Sequence, residues 1–418
     1  MTHRYPLWEL LAPPSRFGNP ARTAVRAEGT RVLYGDGKWK LCATSGLWNV
    51  NIGYGNVAVA DAIHKSLLDA SYLPLFRSGH EYAVAASQAL VDVAGPDHFG
   101  RVIFSTSGSA ANDMMMKLVR QHFAIQDQPQ RRLVVGLKGS YHGLTYGSHA
   151  LTGEQLRQDY YSVDTSLVRH VNHTDDGELR ALLAAEGDRV AALVMEPVLG
   201  TGAYPVSQGL LGSLEELRRE YGFLIVADEV ATGFGRTGSF FASENWPVQP
   251  DLLIASKGLT NGTCAAAVVL ASHAVCEAFE RADAMLLHGE TQAGAPSTCA
   301  AILATISEMD RLDAIKRAGI VTSKLDAVLA ELSDHPLVVG DDGIGLFRAV
   351  RLELPNGGGA LPFPALITVL NEIREAGAVV QPGPSCAQLV PALVYEQEDI
   401  DELAGALRQG LDRALEKL

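Results

Sequence analysis

Two charged side chains follow two short apolar runs in the middle of the chain. Asp228 follows residues 223–227, and Lys257 comes just after residues 252–255. Short apolar runs bounded by polar residues predict strands buried on both faces, and ligands of parallel sheets bind at the carboxyl ends of such strands. We therefore expect both charges at one sheet edge. They form either a structural ion pair, which this stretch alone slightly favours, or two groups that hold different parts of one ligand.

A stretch of small residues lies between a predicted strand and a predicted helix. Residues 105–112 read Ser-Thr-Ser-Gly-Ser-Ala-Ala-Asn. The small side chains leave the backbone N–H groups of Gly108, Ser109 and Ala110 uncovered at the positive end of the helix, which favours a bound phosphate. Taken alone, the motif is better explained by an ordinary serine N-cap.

Two aromatic residues are candidates for contact with a planar ligand. Tyr141 lies in a Gly-Ser-Tyr-His-Gly loop after a predicted strand, where it can stack on a flat ring, and His142 is the weaker candidate. Packing is the simpler explanation of a tyrosine in a loop. Trp48, in the loop-like segment 46–55, either packs in a core or lines a pocket.

Two further stretches carry weaker signals. Glu196 follows the predicted strand 190–195, where its carboxylate either accepts a hydrogen bond close to a ligand or caps a neighbouring helix. Residues 288–296 read His-Gly-Glu-Thr-Gln-Ala-Gly-Ala-Pro and by themselves indicate only a connecting loop.

One cofactor needs all of these groups together. Pyridoxal 5'-phosphate (PLP) requires an amine that forms a Schiff base with its aldehyde, and a carboxylate that keeps its pyridine nitrogen protonated. It also requires a flat side chain against its ring and a phosphate cup. Lys257, Asp228, Tyr141 and residues 108–110 supply these four groups.

The order of these motifs resembles a known family. The chain carries six motifs in a fixed order. The first three are Ser-Gly-Ser-Ala-Ala-Asn, Tyr-His-Gly and Glu-Pro-Val. They are followed by Asp-Glu-Val-Ala-Thr-Gly-Phe-Gly-Arg-Thr-Gly at 228–238, by Ser-Lys-Gly at 256–258 and by the 288–296 loop. This order resembles the class III (ornithine/ω-amino acid type) PLP-dependent aminotransferases over nearly the whole chain. Segment 46–55 looks most like the ω-amine:pyruvate branch, in which the tryptophan lines the substrate pocket.

The resemblance implies a role for each residue. Lys257 forms the Schiff base and shuttles the proton, while Asp228 binds the pyridine nitrogen. Thr291 reaches the phosphate bound by a partner subunit, which implies a homodimer with shared active sites. The other implied assignments are the ring faces (Val230 and Tyr141), the phosphate (Gly108, Ser109 and Ala110) and the substrate pocket (Trp48). From the residues themselves, we also expect Arg236 in the substrate pocket and Glu196 and His142 behind the cofactor.

The resemblance also implies the fold, an α/β PLP-dependent transferase of fold type I. A large domain with a mostly parallel seven-stranded sheet, residues 51–312, binds the cofactor. Residues 313–418 form a smaller α+β domain, and residues 1–50 form an N-terminal segment that belongs to this small lobe.

Apolar patterning independently predicts alternating strands and helices, which is typical of a parallel sheet covered on both faces. The predicted strands are 102–104, 133–136, 190–195, 223–227, 252–255 and 265–270. The predicted helices are 57–72, 112–123, 179–185, 211–221, 299–309 and 399–415, with a further long helix after residue 312, a hairpin in 30–45 and a strand in 344–354.

The chain departs from the family where many relatives bind a substrate α-carboxylate with an arginine. Residues 381–393 contain neither Arg nor Lys, with Gln388 in this stretch, and Thr201 stands where ornithine-type members have the glutamate that gates that arginine. Gln cannot replace the charge of a bidentate Arg–carboxylate contact. We therefore expect an acceptor ketone or aldehyde without an adjacent carboxylate, for example on a natural product or a modified peptide end. Arg236, Arg348 and Arg351 are alternatives for a carboxylate-bearing donor, or ordinary structural charges.

Composition limits the other possibilities. The net charge of -14 disfavours nucleic acid or an anionic membrane as partner. No apolar core of signal-peptide length occurs at the N-terminus, so we expect a cytoplasmic protein. The five scattered cysteines match neither a zinc site nor a disulfide framework, and no metal is expected.

Other functions remain open at this point. An aminomutase or decarboxylase of the same fold would use the same lysine and aspartate. A dinucleotide-binding oxidoreductase is disfavoured because no Gly-x-Gly-x-x-Gly turn follows the early strands. A catalytically silent, partner-binding member is disfavoured because Lys257, Asp228 and Tyr141 are all present.

Overall fold

The computed structural model describes residues 5–418, so residues 1–4 of the predicted N-terminal segment lie outside the described part. Its strands are β1 (Ala24–Glu28), β2 (Arg31–Tyr34), β3 (Trp39–Cys42), β4 (Phe99–Ser105), β5 (Leu133–Leu137), β6 (Val168–Val171), β7 (Val190–Met195), β8 (Val198–Leu199), β9 (Tyr204–Pro205), β10 (Leu224–Asp228), β11 (Leu252–Ser256), β12 (Ala267–Ser272), β13 (Val338–Ile344), β14 (Phe347–Leu352), β15 (Ala378–Val379), β16 (Gln381–Gly383) and β17 (Cys386–Leu389).

The helices alternate with these strands through the middle of the chain. They are α1 (Ser45–Trp48), α2 (Val57–Asp69), α3 (Glu81–Ala94), α4 (Gly108–Ala124), α5 (Tyr146–Leu151), α6 (Gly177–Glu186), α7 (Gln208–Tyr221), α8 (His273–Arg281), α9 (Pro296–Arg311), α10 (Ala314–Leu332), α11 (Phe363–Ala376) and α12 (Gln397–Leu415). Short 3-10 turns, including Lys257–Thr260, connect some of them. No helix within residues 5–418 combines the length and apolarity needed to cross a bilayer.

The main sheet has seven strands in the order β4-β12-β11-β10-β7-β5-β6. β12 runs antiparallel to both of its neighbours, whereas β11, β10, β7, β5 and β6 are mutually parallel. The predicted mostly parallel seven-stranded sheet is thereby confirmed.

Both faces of this sheet are buried, as the continuous apolar runs predicted. Successive residues of β10 point to opposite sides, so Ile225 packs in the core with α7 and Val226 packs in the core with the methionine-rich α4. Both side chains are inaccessible to solvent. The strands therefore hold their carboxyl ends in fixed relative positions.

Two smaller sheets involve the ends of the chain. The antiparallel sheet β13-β14-β17-β16 is built entirely from the C-terminal part. In the sheet β1-β2-β3-β15, the N-terminal strand β3 pairs in parallel with β15 through Leu41 and Ala378. The N-terminal hairpin thus contacts the C-terminal part, although the predicted division into domains stays a prediction.

Several elements differ from the sequence prediction. α4 begins at Gly108 instead of residue 112, because Ser107 caps the helix by accepting the N–H of Ala110. α3 was not predicted, since two of its three buried residues are alanines, which give a weak apolar pattern. α11 was not predicted either, although its buried residues Leu366, Val369, Leu370 and Ile373 have helical spacing.

Candidate active site

Asp228 and Lys257 lie at the same edge of the main sheet. β10 and β11 are adjacent and parallel, with Asp228 opposite Ile254, and Lys257 directly follows β11. A cavity of about 620 Å³ opens at this edge, and both side chains line it. Among the described residues no hydrogen bond or ion pair joins the two, which argues against the structural ion pair considered from the sequence.

The Lys257 amine lies against an aromatic ring, and its side chain is partly buried. Its nitrogen is 4.3 Å from the centre of the Trp48 ring. Burial lowers the pKa of Lys257 to about 8, partly opposed by the negative charges of Glu196 and Asp228. The backbone of Lys257 has φ +46°, in the left-handed region that side chains rarely adopt. Such strain is typical of functional sites, where the surrounding structure holds it.

Trp48 reaches the cavity from an unusual turn. Ser45, Gly46, Leu47 and Trp48 have φ values of 44°, 56°, 62° and 69°, which form one left-handed turn. The Ser45 hydroxyl anchors it by donating to the Val390 carbonyl at 2.7 Å. The turn directs the indole against Phe347, at 5.1 Å between ring centres, and over Lys257. Trp48 therefore lines the cavity and also packs in a core.

The carboxylate of Asp228 is fixed by three donors. Its Oδ2 accepts from Asn112 Nδ2 at 3.0 Å and contacts His142 Nδ1 at 2.7 Å, and its Oδ1 accepts from the Val230 N–H at 3.1 Å. Burial disfavours a charged His142, but the hydrogen bond and the charge of Asp228 outweigh burial and raise the pKa of His142. The network therefore fixes the orientation of the Asp228 carboxylate and pairs it with His142.

Glu196 connects two loops at the cavity wall. Its Oε1 accepts from the Tyr141 N–H at 2.8 Å and its Oε2 from the Gly200 N–H at 3.0 Å. Burial raises the pKa of Glu196 to about 7, despite the opposing effect of His142. Glu196 is thus a hydrogen-bond acceptor for the loop that carries Tyr141, which lines the cavity.

The N-terminus of α4 faces the cavity with two backbone donors. Gly108 and Ser109 line the cavity, and within the described chain neither N–H has a hydrogen-bond partner. The N–H of Ala110 is bonded to Ser107 Oγ at 3.1 Å and Ala110 does not line the cavity, so its contact with a phosphate stays a prediction. A Cβ on Gly108 would lie 3.1 Å from the Val230 side chain, so a larger residue would require Val230 to shift by a few tenths of an ångström.

The structure does not bring the predicted arginines into the cavity. Arg236 is fully buried, donates to the Pro391 carbonyl and to Asn51 Oδ1, and does not line the cavity. These bonds tie the guanidinium to the protein interior, and its predicted place in the substrate pocket stays a prediction. Arg348 is paired with Asp326 and Asp341. Arg351 is paired with Asp342 and lies over the ring of Tyr204.

Thr291 lies outside the cavity of its own chain. Its side chain is exposed, and its carbonyl accepts from the Tyr72 hydroxyl at 3.0 Å. Its predicted role at the site of a partner subunit stays a prediction.

Two uncharged polar side chains, Gln388 and Thr201, line the cavity. Gln388 Nε2 donates to the Gly200 carbonyl at 2.7 Å, and the Thr201 hydroxyl donates to the Gly139 carbonyl at 2.5 Å. Both side chains are therefore held by backbone acceptors. Among the lining residues of the described chain, Lys257 is the only lysine or arginine.

Sequence reasoning missed two functional candidates. Asn112, whose amide donates to Asp228, lies one turn after Gly108 and is a buried polar residue in an otherwise methionine-rich helix face, which is a detectable signal. Glu154 also lines the cavity, but it lies in an irregular loop and no sequence pattern distinguishes it.

Comparison with known proteins agrees with this site. The family model for class III aminotransferases matches residues 15–411. An omega-aminotransferase of Caulobacter vibrioides is 29% identical over 97% of this chain and 96% of its own length. An acetylornithine aminotransferase of Mycolicibacterium smegmatis is 31% identical over 98% of both chains. The solved PLP-bound amine transaminase of an uncultivated Pseudomonas species has a TM-score of 0.92 at 26% identity, covering 98% of this chain and 99% of that one.

The chain belongs to the class III aminotransferase family, as predicted. It is a PLP-dependent transaminase of fold type I that transfers an amino group between an amino donor and a carbonyl acceptor. The cavity residues fit this cofactor, because an unpaired amine, a fixed carboxylate and two free backbone N–H groups face one space.

Proposed function

We propose that Lys257 is the residue that holds the aldehyde carbon of PLP and that later moves the proton at the reacting carbon of the substrate. One observation carries the proposal: the amine lines the cavity and has no hydrogen-bond partner in the described chain. Burial lowers its pKa, so that a neutral amine able to attack a carbonyl is available close to neutral pH.

Asp228 would keep the pyridine nitrogen protonated. The bonds from Asn112, His142 and Val230 orient its carboxylate at the end of β10. When bound, PLP supplies an electron sink for the charge left on the substrate carbon after deprotonation.

The remaining lining residues would orient the ring and the phosphate. Tyr141 and Val230 both line the cavity, and we assign them to opposite faces of the ring. The free N–H groups of Gly108 and Ser109, at the positive end of a 17-residue helix, would bind the phosphate.

We further propose that the carbonyl acceptor lacks an adjacent carboxylate. The support is the absence of any arginine or lysine other than Lys257 among the described lining residues, together with the anchoring of Gln388 to Gly200. A ketone or aldehyde on a larger molecule, including a modified peptide end, meets this requirement. A relative from Pseudomonas aeruginosa is named a putrescine–pyruvate aminotransferase, and we infer that this chain differs from it in acceptor.

The test compares two acceptors of similar shape, pyruvate and 3-methylbutan-2-one. After an amino donor alone has converted the bound cofactor to its amino form, each acceptor is added and the return of visible absorbance is timed. We expect higher kcat/KM for the ketone. Gln388→Arg should raise the value for pyruvate, whereas Gln388→Met, which adds no charge, should not. Equal values for both acceptors, unchanged in Gln388→Arg, would exclude this acceptor class.

We propose a homodimer in which Thr291 contacts the phosphate bound by the partner subunit. The exposure of Thr291 outside its own cavity is compatible with this role. We also propose a cytoplasmic location, since all five cysteines are free thiols, which persist in a reducing compartment.

A further inference from the structure

The interior of the protein contains a positive charge that the proposed transamination does not use. Arg236 is inaccessible to solvent, and its Nη2 donates to Asn51 Oδ1 at 2.6 Å. Its Nη1 donates to the backbone carbonyls of Pro391 and Leu346. Within the described chain no carboxylate forms an ion pair with it, and its Nε is buried without a hydrogen-bond partner. The guanidinium is therefore held by neutral acceptors alone.

The charge of Arg236 is unfavourable at this place. A buried ion without a partner of opposite charge costs free energy, and an apolar side chain of similar volume avoids this cost. Burial lowers the pKa of Arg236 to about 9, and within the described chain only the Tyr395 hydroxyl group opposes this effect. The guanidinium still keeps its proton at neutral pH. An arginine at this position therefore needs an explanation beyond packing.

Asn51 connects this guanidinium to the turn that carries Lys257. Its Nδ2 donates to the Phe234 carbonyl at 2.8 Å while its Oδ1 accepts from Arg236. The same side chain packs against the backbone of Gly258, where a Cβ would lie 2.7 Å from Asn51 Nδ2. Gly258 directly follows Lys257 in the chain. Arg236 therefore contacts the turn of Lys257 through one intervening side chain, from outside the cavity that the amine lines.

The charges that act on Lys257 do not all have the same sign. Burial lowers the pKa of Lys257 most, whereas the carboxylates of Glu196, after β7, and Asp228, at the end of β10, raise it. Arg236 lowers it again, and it is the one cation in the described chain that does so. Trp48, on the cavity side of the amine, carries no charge. Arg236 thus opposes two carboxylates that favour the protonated amine.

We propose that Arg236 is a positioning residue that acts on Lys257 from behind its turn and keeps the nitrogen of Lys257 in the neutral form that bonds to a carbonyl carbon. The unpaired charge disfavours a second positive charge nearby. A carboxylate partner would cancel most of this effect, which gives a physical reason for a guanidinium held by neutral acceptors alone. The inference rests on the proposed function, because it concerns the nitrogen that holds the cofactor.

The test is a pH titration of the visible absorbance of the PLP-loaded protein, whose midpoint reports the loss of the proton from the nitrogen bonded to the cofactor. Arg236→Gln keeps an amide donor for the backbone carbonyls but removes the charge. Because a nearby cation favours loss of the proton, its removal should raise the midpoint by roughly half a pH unit or more. Arg236→Lys keeps the charge and should keep the midpoint of the parent protein.

Two further variants complete the test. Arg281→Gln makes the same change of charge on an exposed residue of α8 and should leave the midpoint unchanged. Asn51→Asp leaves Arg236 in place and supplies it with a carboxylate, so the midpoint should rise as in Arg236→Gln. This variant retains the test if Arg236→Gln does not fold. A parent midpoint in Arg236→Gln and Asn51→Asp, or the same rise in Arg236→Lys as in Arg236→Gln, would overturn the inference.

Two parallel measurements separate this inference from the proposed function and from a structural role. If borohydride reduction of the PLP-loaded parent protein gives no adduct on Lys257, the proposed function fails whatever the midpoints are. If the adduct forms and all variants share one midpoint, only the role of Arg236 fails. Thermal unfolding of the same variants shows any loss of stability, which by itself does not move the midpoint. A raised donor KM in Arg236→Gln with a parent midpoint would place the guanidinium at the substrate and overturn the inference.

Discussion

The backbone is strained at Lys257, which carries the reactive amine, and at Trp48, whose ring lies against it. Lys257 has φ +46°, and Trp48 ends a four-residue left-handed turn. A left-handed backbone conformation at a residue with a Cβ costs about 1–2 kcal/mol. Packing and hydrogen bonds, such as that of Ser45 to Val390, must offset this strain. The result is an indole fixed over a partly buried amine. That environment, more than any neighbouring charge, sets the basicity of Lys257.

This basicity can be measured directly on the cofactor-free protein. Burial lowers the pKa of Lys257 to about 8. An amine is protonated and unreactive below its pKa and nucleophilic above it, so the rate of attack on PLP should rise with pH and reach half its maximum near pH 8. The measurement is the initial rate of absorbance change after PLP is added across a pH series. A midpoint close to the ordinary lysine value of 10.5 would contradict this account of the pocket.

Asp228→Asn tests the proposed contact of the Asp228 carboxylate with the pyridine nitrogen. The amide keeps the shape of the side chain but cannot hold the nitrogen protonated, so PLP should still bind while the half-reaction slows by roughly a hundredfold or more. Stopped-flow absorbance with a saturating amino donor gives the rate. Asp159→Asn, an exposed change of the same charge, should behave as the parent protein. A rate near that of the parent would remove Asp228 from the mechanism.

At the scale of elements, the site depends on how a loop meets a helix. The loop carrying Tyr141 and His142 lies against the N-terminus of α4, and Gly143 makes the contact at φ +129°. A Cβ at Gly143 would lie 2.1 Å from Ser109 Oγ and 2.7 Å from Ser109 Cα. The contact therefore tolerates no side chain at this position.

Gly143→Ala should push this loop away from the N-terminus of α4, where we propose that the phosphate binds. We expect the dissociation constant of PLP to rise roughly tenfold or more, because overpacking of this kind costs about 1–3 kcal/mol. Fluorescence titration of the cofactor-free variant measures the change. Gly212→Ala is the matched control, since it lies in α7 with open space around its Cβ position. Parent affinity in Gly143→Ala would show that the contact does not position the site.

Much of the large sheet was predictable, because strands buried on both faces appear as short apolar runs, and β7, β10 and β11 each have one. The presence of Asp228 and Lys257 at one edge followed from that pattern. Arg236 was not predictable, since only the fold shows that its partners are the Pro391 carbonyl and Asn51. Glu154 lies in a loop without periodicity, so its presence in the cavity required the structure.

At the scale of the whole molecule, distant parts of the chain complete one cavity. Trp48 comes from the N-terminal part, Lys257 from the main sheet and Gln388 from the C-terminal part. The pairing of β3 with β15 fixes the N-terminal part, which carries Trp48, relative to the C-terminal part, which carries Gln388. The proposed contact of Thr291 with a second subunit extends the same arrangement beyond one chain.

Mixing subunits tests whether the sites are shared. Lys257→Ala subunits should be inactive, and Thr291→Ala dimers should bind PLP weakly. In a mixed dimer of the two variants, one site lacks both residues, and the other combines Lys257 of one chain with the partner's Thr291. Co-purified mixed dimers with different tags should therefore regain about half of the parent activity. Activity no higher than that of the Thr291→Ala dimer would contradict shared sites.

The central claim is that Lys257 bonds covalently to the cofactor, and borohydride trapping tests it most directly. The PLP-loaded protein is reduced, digested and analysed by peptide mass spectrometry, with the Lys257→Ala variant treated in parallel. We predict a loss of visible absorbance and a reduced phosphopyridoxyl adduct on the peptide containing Lys257, with none in the variant. An adduct on a different lysine, or visible absorbance that survives reduction, would contradict the claim.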